Sequence, residues 1–241
     1  MDKMKMESTN LTMHNVEKIG AMFPNCITET IDENGDWKAT QNVVGDNGKL
    51  EKKEITKHFG KEMAHTIGTA YGYIVNKFGL TDRIINMAKN NRTDRRCVVS
   101  LWQDDYVPTA VLPSCVWSSE WDVTDGKLNC WVHQRSCDVP LGLPFNVTQY
   151  ATLLCMIAKT CNLQPGTLDY SIKDAHIYVN QVDGIKEQIK RYDENGDYEA
   201  PELWLNPEVD DFFKYDNSRD IKDVEIRNYK HMGPIKFPIS Q

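Results

Sequence analysis

The chain has 241 residues, of which 40% are hydrophobic and 26% are charged. This composition is typical of a globular protein and excludes collagen-like, disulfide-scaffold and wholly disordered chains. The 28 basic and 35 acidic residues give a net charge of -7, which argues against non-specific binding to nucleic acid or anionic membranes. The seven cysteines include no CxxC pair, so we expect reduced thiols, one of which could be reactive. No apolar segment resembles a signal or a membrane span, so we expect a cytoplasmic protein.

The first predicted elements lie in a polar region. Residues 1–60 are rich in turn-forming residues and predict irregular structure, with one strand around 42–44. The sequence DENGD occurs at 32–36 and at 193–197; neither copy fits the EF-hand calcium loop, so both predict hairpin turns and no metal site is expected. The run 53–77 begins like a helix and becomes aromatic and strand-like around 71–75.

The segments that follow have clearer periodicity. Residues 80–90 predict a short amphipathic helix with Thr81 as its N-cap. A buried strand follows Arg96, and two further strands separated by Thr-Asp-Gly predict a β-hairpin. A long buried helix at 145–162, another strand at 174–181 and then an exposed helix complete the pattern. Because strands and helices both occur without a βαβ rhythm, we expect an α+β fold.

Candidate functional residues crowd the stretch QRSCDVPLGLPFN at 134–146. Its Arg135 offers a planar fork for phosphate, and Asn146 offers a donor and an acceptor for a pyrimidine edge. Upstream, Cys115 follows a Pro-Ser bend, where it could be an exposed nucleophile or a small buried hydrophobe.

Two residue pairs are open to a similar choice. Arg95 and Arg96 could form a second phosphate clamp or an exposed charge run. His176 and Tyr178 lie two apart on a predicted strand and therefore on one face. There they could donate to a sugar hydroxyl or line a core.

Together these motifs resemble the thymidylate synthase family. They occur in the family's order: AYG at 70–72, DRR at 94–96, LPSC at 112–115, QRSCDVPLGLPFN at 134–146, DAHIY at 174–178 and GPIKFPIS at 233–240. The resemblance implies a single domain over 1–241, with a recognisable catalytic core at 67–241 and a divergent N-terminal segment at 1–66. It also implies a thymidylate synthase-like α+β fold, with a large mixed β-sheet, flanking helices and dimerisation through the sheet.

The same resemblance implies a dUMP-type nucleotide substrate and 5,10-methylenetetrahydrofolate as co-substrate. Cys115 is the implied nucleophile toward carbon 6 of uracil, and Tyr71 is implied to assist removal of the carbon 5 proton. Asp138 is implied to be catalytic and, with Gly142, to face the folate, while the C-terminal GPIKFPIS closes over it. In a homodimer, Arg95 and Arg96 would reach the neighbouring site. The remaining implied nucleotide contacts are Gln134, Arg135, Ser136, Asn146 (also implied to be catalytic), His176 and Tyr178.

Two departures from the family leave the reaction open. The family's catalytic glutamate, phosphate-binding arginine loop and tryptophan-rich folate segment are not found in 1–66; Glu33 has about the right spacing but occupies a predicted turn. Val116 stands where methylating enzymes commonly have histidine, and related phage hydroxymethylases also depart there. Asn146, rather than aspartate, favours uracil over cytosine. Thymidylate synthesis is therefore expected, with two alternatives: hydroxymethylation of dUMP in preference to dCMP, and a non-catalytic paralogue that acts as partner subunit or regulator.

Overall fold

The computed structural model describes residues 31–44, 50–66, 68–107, 110, 113–220 and 222–239. They divide into two compact units, one within 1–79 and 101–114 and the other within 80–100 and 115–241. Whether the whole chain forms one domain stays a prediction. The described strands are β1 (Asp36–Val44), β2 (Leu50–His58), β3 (Val98–Ser100), β4 (Val116–Thr124), β5 (Lys127–Gln134), β6 (Cys137–Asp138), β7 (Gln164–Ile172), β8 (Ala175–His176), β9 (Glu202–Leu205) and β10 (Val224–Arg227). The described α-helices are α1 (Tyr71–Lys77), α2 (Leu80–Asn90), α3 (Gly142–Thr160) and α4 (Val182–Asn195).

The first unit contains a tight turn followed by an antiparallel hairpin. Asp32 Oδ1 accepts hydrogen bonds from the backbone N–H groups of Asn34 and Asp36, at 2.9 and 3.0 Å, as aspartate commonly does in turns. Strands β1 and β2 then pair along their whole length. The strand expected around 42–44 is the end of β1, but the irregular structure expected around it is wrong for the rest of β1 and for β2. Their backbones pair although their polar composition does not indicate strands. The rest of this expectation, at 1–30 and 45–49, lies outside the described residues. A small core accompanies the hairpin: Ile31, Trp37 and Phe59 are buried, with Met63 packed against them.

Helix α1 lies where the sequence predicted a strand, and β2 occupies the part that looked helical. Aromatic and β-branched residues favour strands, but packing overrides that preference here. Tyr73 and Phe78 pack on the ring of Tyr106 at centroid distances of 5.8 and 5.9 Å. Lys77 Nζ lies 5.3 Å from the centroid of the same ring. Tyr73 and Lys77 are four residues apart and share a helix face, and Phe78 follows at the C-cap, so the helix and its end bring these side chains onto one tyrosine.

The second unit is built on a four-stranded sheet with the order β3-β4-β5-β7. The first two pairs are antiparallel and β5 pairs with β7 in parallel, so the sheet is mixed. The predicted β4–β5 hairpin is confirmed: Asp125 and Gly126 have φ values of 51° and 74°, the left-handed conformation that such two-residue turns require. Helix α3, predicted as long and buried, packs on β5 and β7 and makes the parallel crossover between them. The predicted α+β class is confirmed.

Both remaining predicted helices form, and the first spans Leu80–Asn90 as predicted. Helix α2 begins at Leu80, so Thr81 is buried inside its first turn and is not the N-cap. Helix α4 continues to Asn195, and Gly196 (φ 69°) donates its N–H to Tyr192 O at 2.7 Å. The second DENGD copy is therefore a helix C-terminus, a position that favours glycine in the left-handed region, and not a hairpin turn.

The strand predicted at 174–181 is much shorter in the structure. Only β8 pairs, in parallel with β6, and the chain then forms a 3-10 helix at Val179–Gln181. Gln181, at the end of this 3-10 helix, bonds through its side chain to Asp138 and to Pro238 O. No helix among the described residues is long and apolar enough to cross a membrane.

One face of the sheet is exposed and aromatic. Val98, Trp117 and Trp131 are 43%, 42% and 48% exposed. The register Val98↔Glu120↔Trp131 places Val98 and Trp131 in one row on either side of Glu120, and the rings of Trp117 and Trp131 both lie against His133. The result is a continuous surface.

Candidate active site

The predicted nucleophile and its predicted cation meet at one end of the β4–β5 hairpin. Cys115 comes immediately before β4 and Arg135 immediately after β5, so antiparallel pairing makes them neighbours. Arg135 N donates to Cys115 O at 2.8 Å, and its Nη2 lies 4.0 Å from Cys115 Sγ. The positive charge of the guanidinium therefore lies beside the sulfur. Next to it, Val116 is 2% exposed and belongs to the core.

Gln134, a buried residue, orients Asn146, which is predicted to bind the pyrimidine edge. Gln134 Nε2 donates to Ser136 O at 2.9 Å and to Asn146 Oδ1 at 3.2 Å. Since a backbone carbonyl only accepts, the nitrogen of the Gln134 amide must face it, and the Asn146 atom beside that nitrogen must be oxygen. Asn146 is therefore held with Oδ1 toward Gln134. Gly142, at the start of α3, lies close to the same oxygen.

The predicted sugar-binding pair lies beside the loop that follows. In the β6–β8 register Asp138 is opposite His176, and Val139 N donates to His176 O at 3.0 Å. The rings of His176 and Tyr178 are edge to face at 5.0 Å, so they share a face as predicted. His176 Nδ1 lies 3.5 Å from Asp174 Oδ2 and has no hydrogen-bond partner among the described residues.

The other predicted site residues belong to other segments of the chain. Arg95 and Arg96 are exposed on the loop before β3. Arg96 Nε donates to Asp94 Oδ1 at 3.1 Å, which lowers the pKa of Asp94. In the first unit, Tyr71 begins α1 and is 39% exposed, and Glu33 is exposed in the turn before β1.

The sequence did not single out the residues that hold the C-terminal tail, defined here as residues 232–239. Arg191 Nη1 donates to Met232 O at 3.0 Å and to Gly233 O at 3.2 Å. Its Nε also donates to Glu187 at 2.7 Å, which lowers the pKa of that carboxyl group. Farther along, Gln181 Nε2 donates to Pro238 O at 3.1 Å. The only sequence signal for this arrangement was the tail motif itself.

Beside the tail lies a cleft of about 440 Å³. Leu141, Phe145 and Phe237 line it together with Arg191, and the ring of Phe145 is 71% exposed. Apolar and aromatic walls with a few polar groups are typical of a site for a ring-containing ligand.

The fold and site define an α+β protein in which a mixed sheet presents a cysteine beside an arginine. Residues 32–241 match the family model described as thymidylate synthase, a match that starts upstream of the motifs found by inspection. The chain belongs to the thymidylate synthase family.

Curated relatives and a solved structure agree with this assignment. The chain is 49% identical to "Thymidylate synthase" of Clostridium beijerinckii over 175 residues, which cover 73% of the chain and 64% of the relative. It is 35% identical to "Thymidylate synthase" of Bacillus atrophaeus over 212 residues, covering 84% and 89%. The structure titled thermostable thymidylate synthase A from Bacillus subtilis superposes with a TM-score of 0.66 at 36% identity, covering 73% of this chain and 63% of that one. The chain thus spans less than two thirds of the Clostridium relative and of the solved structure.

Proposed function

We propose that the protein catalyses folate-dependent one-carbon transfer to carbon 5 of dUMP, by reductive methylation to dTMP. The observation that carries this proposal is the Cys115–Arg135 pair, with the guanidinium 4.0 Å from the sulfur. Addition of the Cys115 sulfur to carbon 6 of uracil would make carbon 5 nucleophilic, and the Arg135 guanidinium places a positive charge beside the reacting sulfur. The family assignment supplies the reaction class.

The described contacts support a nucleotide orientation. Arg135 and Ser136 would hold the phosphate, and His176 with Tyr178 would bind the sugar hydroxyl. Because Gln134 occupies one side of Asn146 Oδ1, the Nδ2 donor is directed elsewhere and is available to a uracil carbonyl. A negative charge that develops on that oxygen would be stabilised by the same donor.

The cleft beside the tail fits the co-substrate, 5,10-methylenetetrahydrofolate, which would supply the one-carbon unit and the hydride. Leu141, Phe145 and Phe237 present apolar surface to an aromatic ring system. Asp138 would face the same ligand, and Tyr71 would assist loss of the carbon 5 proton. The tail, docked on α4, would exclude water from the reacting atoms.

We also propose that the protein is a homodimer through the exposed sheet face. Trp117 and Trp131 are 42% and 48% exposed and lie on the same sheet face, where they form a continuous aromatic patch. Such a patch is typical of a protein–protein interface. The side chain of Arg96 is 88% exposed, as required if it and Arg95 reach the phosphate of the neighbouring site.

The test is the mass of the nucleotide product after incubation with dUMP and methylenetetrahydrofolate, with dihydrofolate followed by absorbance. A methyl increment with dihydrofolate formation supports the proposal. A hydroxymethyl increment without dihydrofolate would replace it with the hydroxymethylase alternative. No product alone, with activity recovered on adding a full-length relative, would indicate the partner-subunit alternative.

Replacement of the nucleophile is a second test. Cys115→Ser should lower turnover by more than about 1,000-fold, because a serine hydroxyl is hardly ionised at neutral pH. Its affinity for dUMP, measured by calorimetry, should stay within a few-fold of the unsubstituted protein. Retention of full activity by this variant would refute the proposed covalent mechanism.

A further inference from the structure

Gln181 is a fully buried polar residue that joins three segments of the second unit. Its side chain is 0% exposed. Its Nε2 donates to Asp138 Oδ2 at 2.9 Å and to Pro238 O at 3.1 Å, while its Oε1 accepts from Tyr178 N at 3.1 Å. One amide thus connects the loop after β6, the sugar-binding segment and the tail.

The chemistry of these partners fixes the orientation of the amide. A carboxylate and a backbone carbonyl accept hydrogen bonds and cannot donate them, so both N–H groups of Gln181 are needed where they are. A rotation of the amide by half a turn would bring its oxygen against two acceptors and its nitrogen against a donor. A buried amide without its hydrogen bonds raises the free energy of the folded state, so Gln181 has one orientation.

The tail that reaches Gln181 is also held at two other places. The Phe237 ring packs directly over Gly184 of α4, and Arg191 binds the carbonyls of Met232 and Gly233. These contacts join the tail to α4 only. Gln181 alone among the described residues bonds to both the tail and Asp138.

We infer that Gln181 is a positioning residue that couples closure of the tail to the placement of Asp138. The inference rests on the proposed function, in which Asp138 faces the folate. With the tail closed, Gln181 is fixed between Pro238 and Asp138, and the Asp138 carboxylate is held by Gln181 and by Leu141 N at 3.3 Å. Since coupling is reciprocal, a ligand that holds Asp138 in this position also favours the closed tail.

Tryptic cleavage after Lys236 tests the coupling without any turnover. Lys236 is exposed within the tail, and release of the peptide 237–241 can be followed by mass spectrometry on the full-length protein. Gln181→Met keeps the length of the side chain and removes all three hydrogen bonds. We expect it to accelerate this cleavage about 3- to 10-fold, the effect of one lost net hydrogen bond between tail and body. Gln164→Met, at an exposed position of β7, is the matched control and should leave the rate unchanged.

A second variant guards against a general loss of structure. Gln181→Glu retains the shape and the acceptor for Tyr178 N, but a carboxylate cannot donate to Pro238 or Asp138. It should also accelerate cleavage, with Asp138 and Glu at 181 repelling each other. Unchanged cleavage in both variants would overturn the inference.

Kinetics separate positioning from a merely structural role. In Gln181→Glu, which keeps the acceptor for Tyr178 N, kcat/KM for methylenetetrahydrofolate should fall about 10-fold or more, while dUMP affinity without folate stays within about 2-fold. Equal losses for both ligands would mean that Gln181 only stabilises the fold. If the unsubstituted protein makes no nucleotide product, the proposed function fails, and the cleavage rates still decide whether Gln181 latches the tail.

Discussion

The contact between Gly184 and Phe237 predicts that one added methyl group opens the tail without unfolding the chain. A Cβ on Gly184 would lie 2.5 Å from Phe237 Cε1 and 2.9 Å from Cδ1. Favourable carbon contacts are about 3.5–4.0 Å, so the ring must withdraw by about 1 Å. In Gly184→Ala, therefore, the new methyl group and the Phe237 ring would occupy the same space.

The helix should prevail, because its own stability benefits from the substitution. Alanine is preferred to glycine inside a helix by up to about 1 kcal/mol, whereas the ring is attached to a terminal segment that can move away. Loss of a partly buried phenylalanine contact costs about 1–2 kcal/mol. The open form of the tail should then be about 5- to 30-fold more populated, with the melting temperature unchanged or slightly raised.

Hydrogen–deuterium exchange of the peptide spanning 235–239 measures this opening directly. Lys186→Ala, at an exposed position on the same helix, controls for changes in helix stability alone. In a Phe237→Ala background the added methyl group has no ring to displace, so Gly184→Ala should no longer affect exchange. Wild-type exchange in the single Gly184→Ala variant would refute the argument.

Two further predictions concern ionisation. Burial raises the pKa of Cys97 to about 11, so at about pH 7.5 Cys97 is a thiolate in roughly one molecule in 3,000. Iodoacetamide should therefore label half-buried Cys115 at least about 10-fold faster than Cys97. Equal labelling rates of the two cysteines, measured by peptide mapping, would contradict this. Hydrogen bonds from Asn206 first, and then from the backbone and Arg219, lower the pKa of buried Asp223. Because the pKa of Asp223 is lower in the folded state, its carboxylate stabilises the fold fully above the unfolded pKa of about 4. This stabilisation is lost as the pH falls through the folded pKa. Asp223→Asn should therefore lower the urea midpoint at pH 7 more than at about pH 3, and an equal change at both would be inconsistent with this assignment.

Local signals in the sequence predicted much of the second unit. The Thr-Asp-Gly turn specified the β4–β5 hairpin because its two left-handed residues suit few other structures. Helix α3 was predicted from the apolar periodicity of 145–162, a length that few strands reach, and the structure has it at Gly142–Thr160. The adjacency of Cys115 and Arg135 is a consequence of that hairpin.

Other parts depend on contacts distant in sequence, which leave no local pattern. Strands β1 and β2 are polar, and only their mutual pairing makes them strands. Helix α1 has strand-like composition, and its contacts with Tyr106 across 33 positions from Tyr73 could not be read from either segment. Gln181 is one amide among many polar residues, and its partners lie 43 and 57 residues away.

The order of these contacts along the chain also sets an order in which the site can be assembled. The β4–β5 hairpin closes through a two-residue turn, so Cys115 and Arg135 can meet as soon as that segment has left the ribosome, on a timescale of microseconds. Asn146 and Asp138 reach their places only after α3 has packed on the sheet and β8 has paired with β6. The tail is synthesised last, so in a nascent chain Cys115 lies beside Arg135 well before Arg191 and Gln181 can bind the tail.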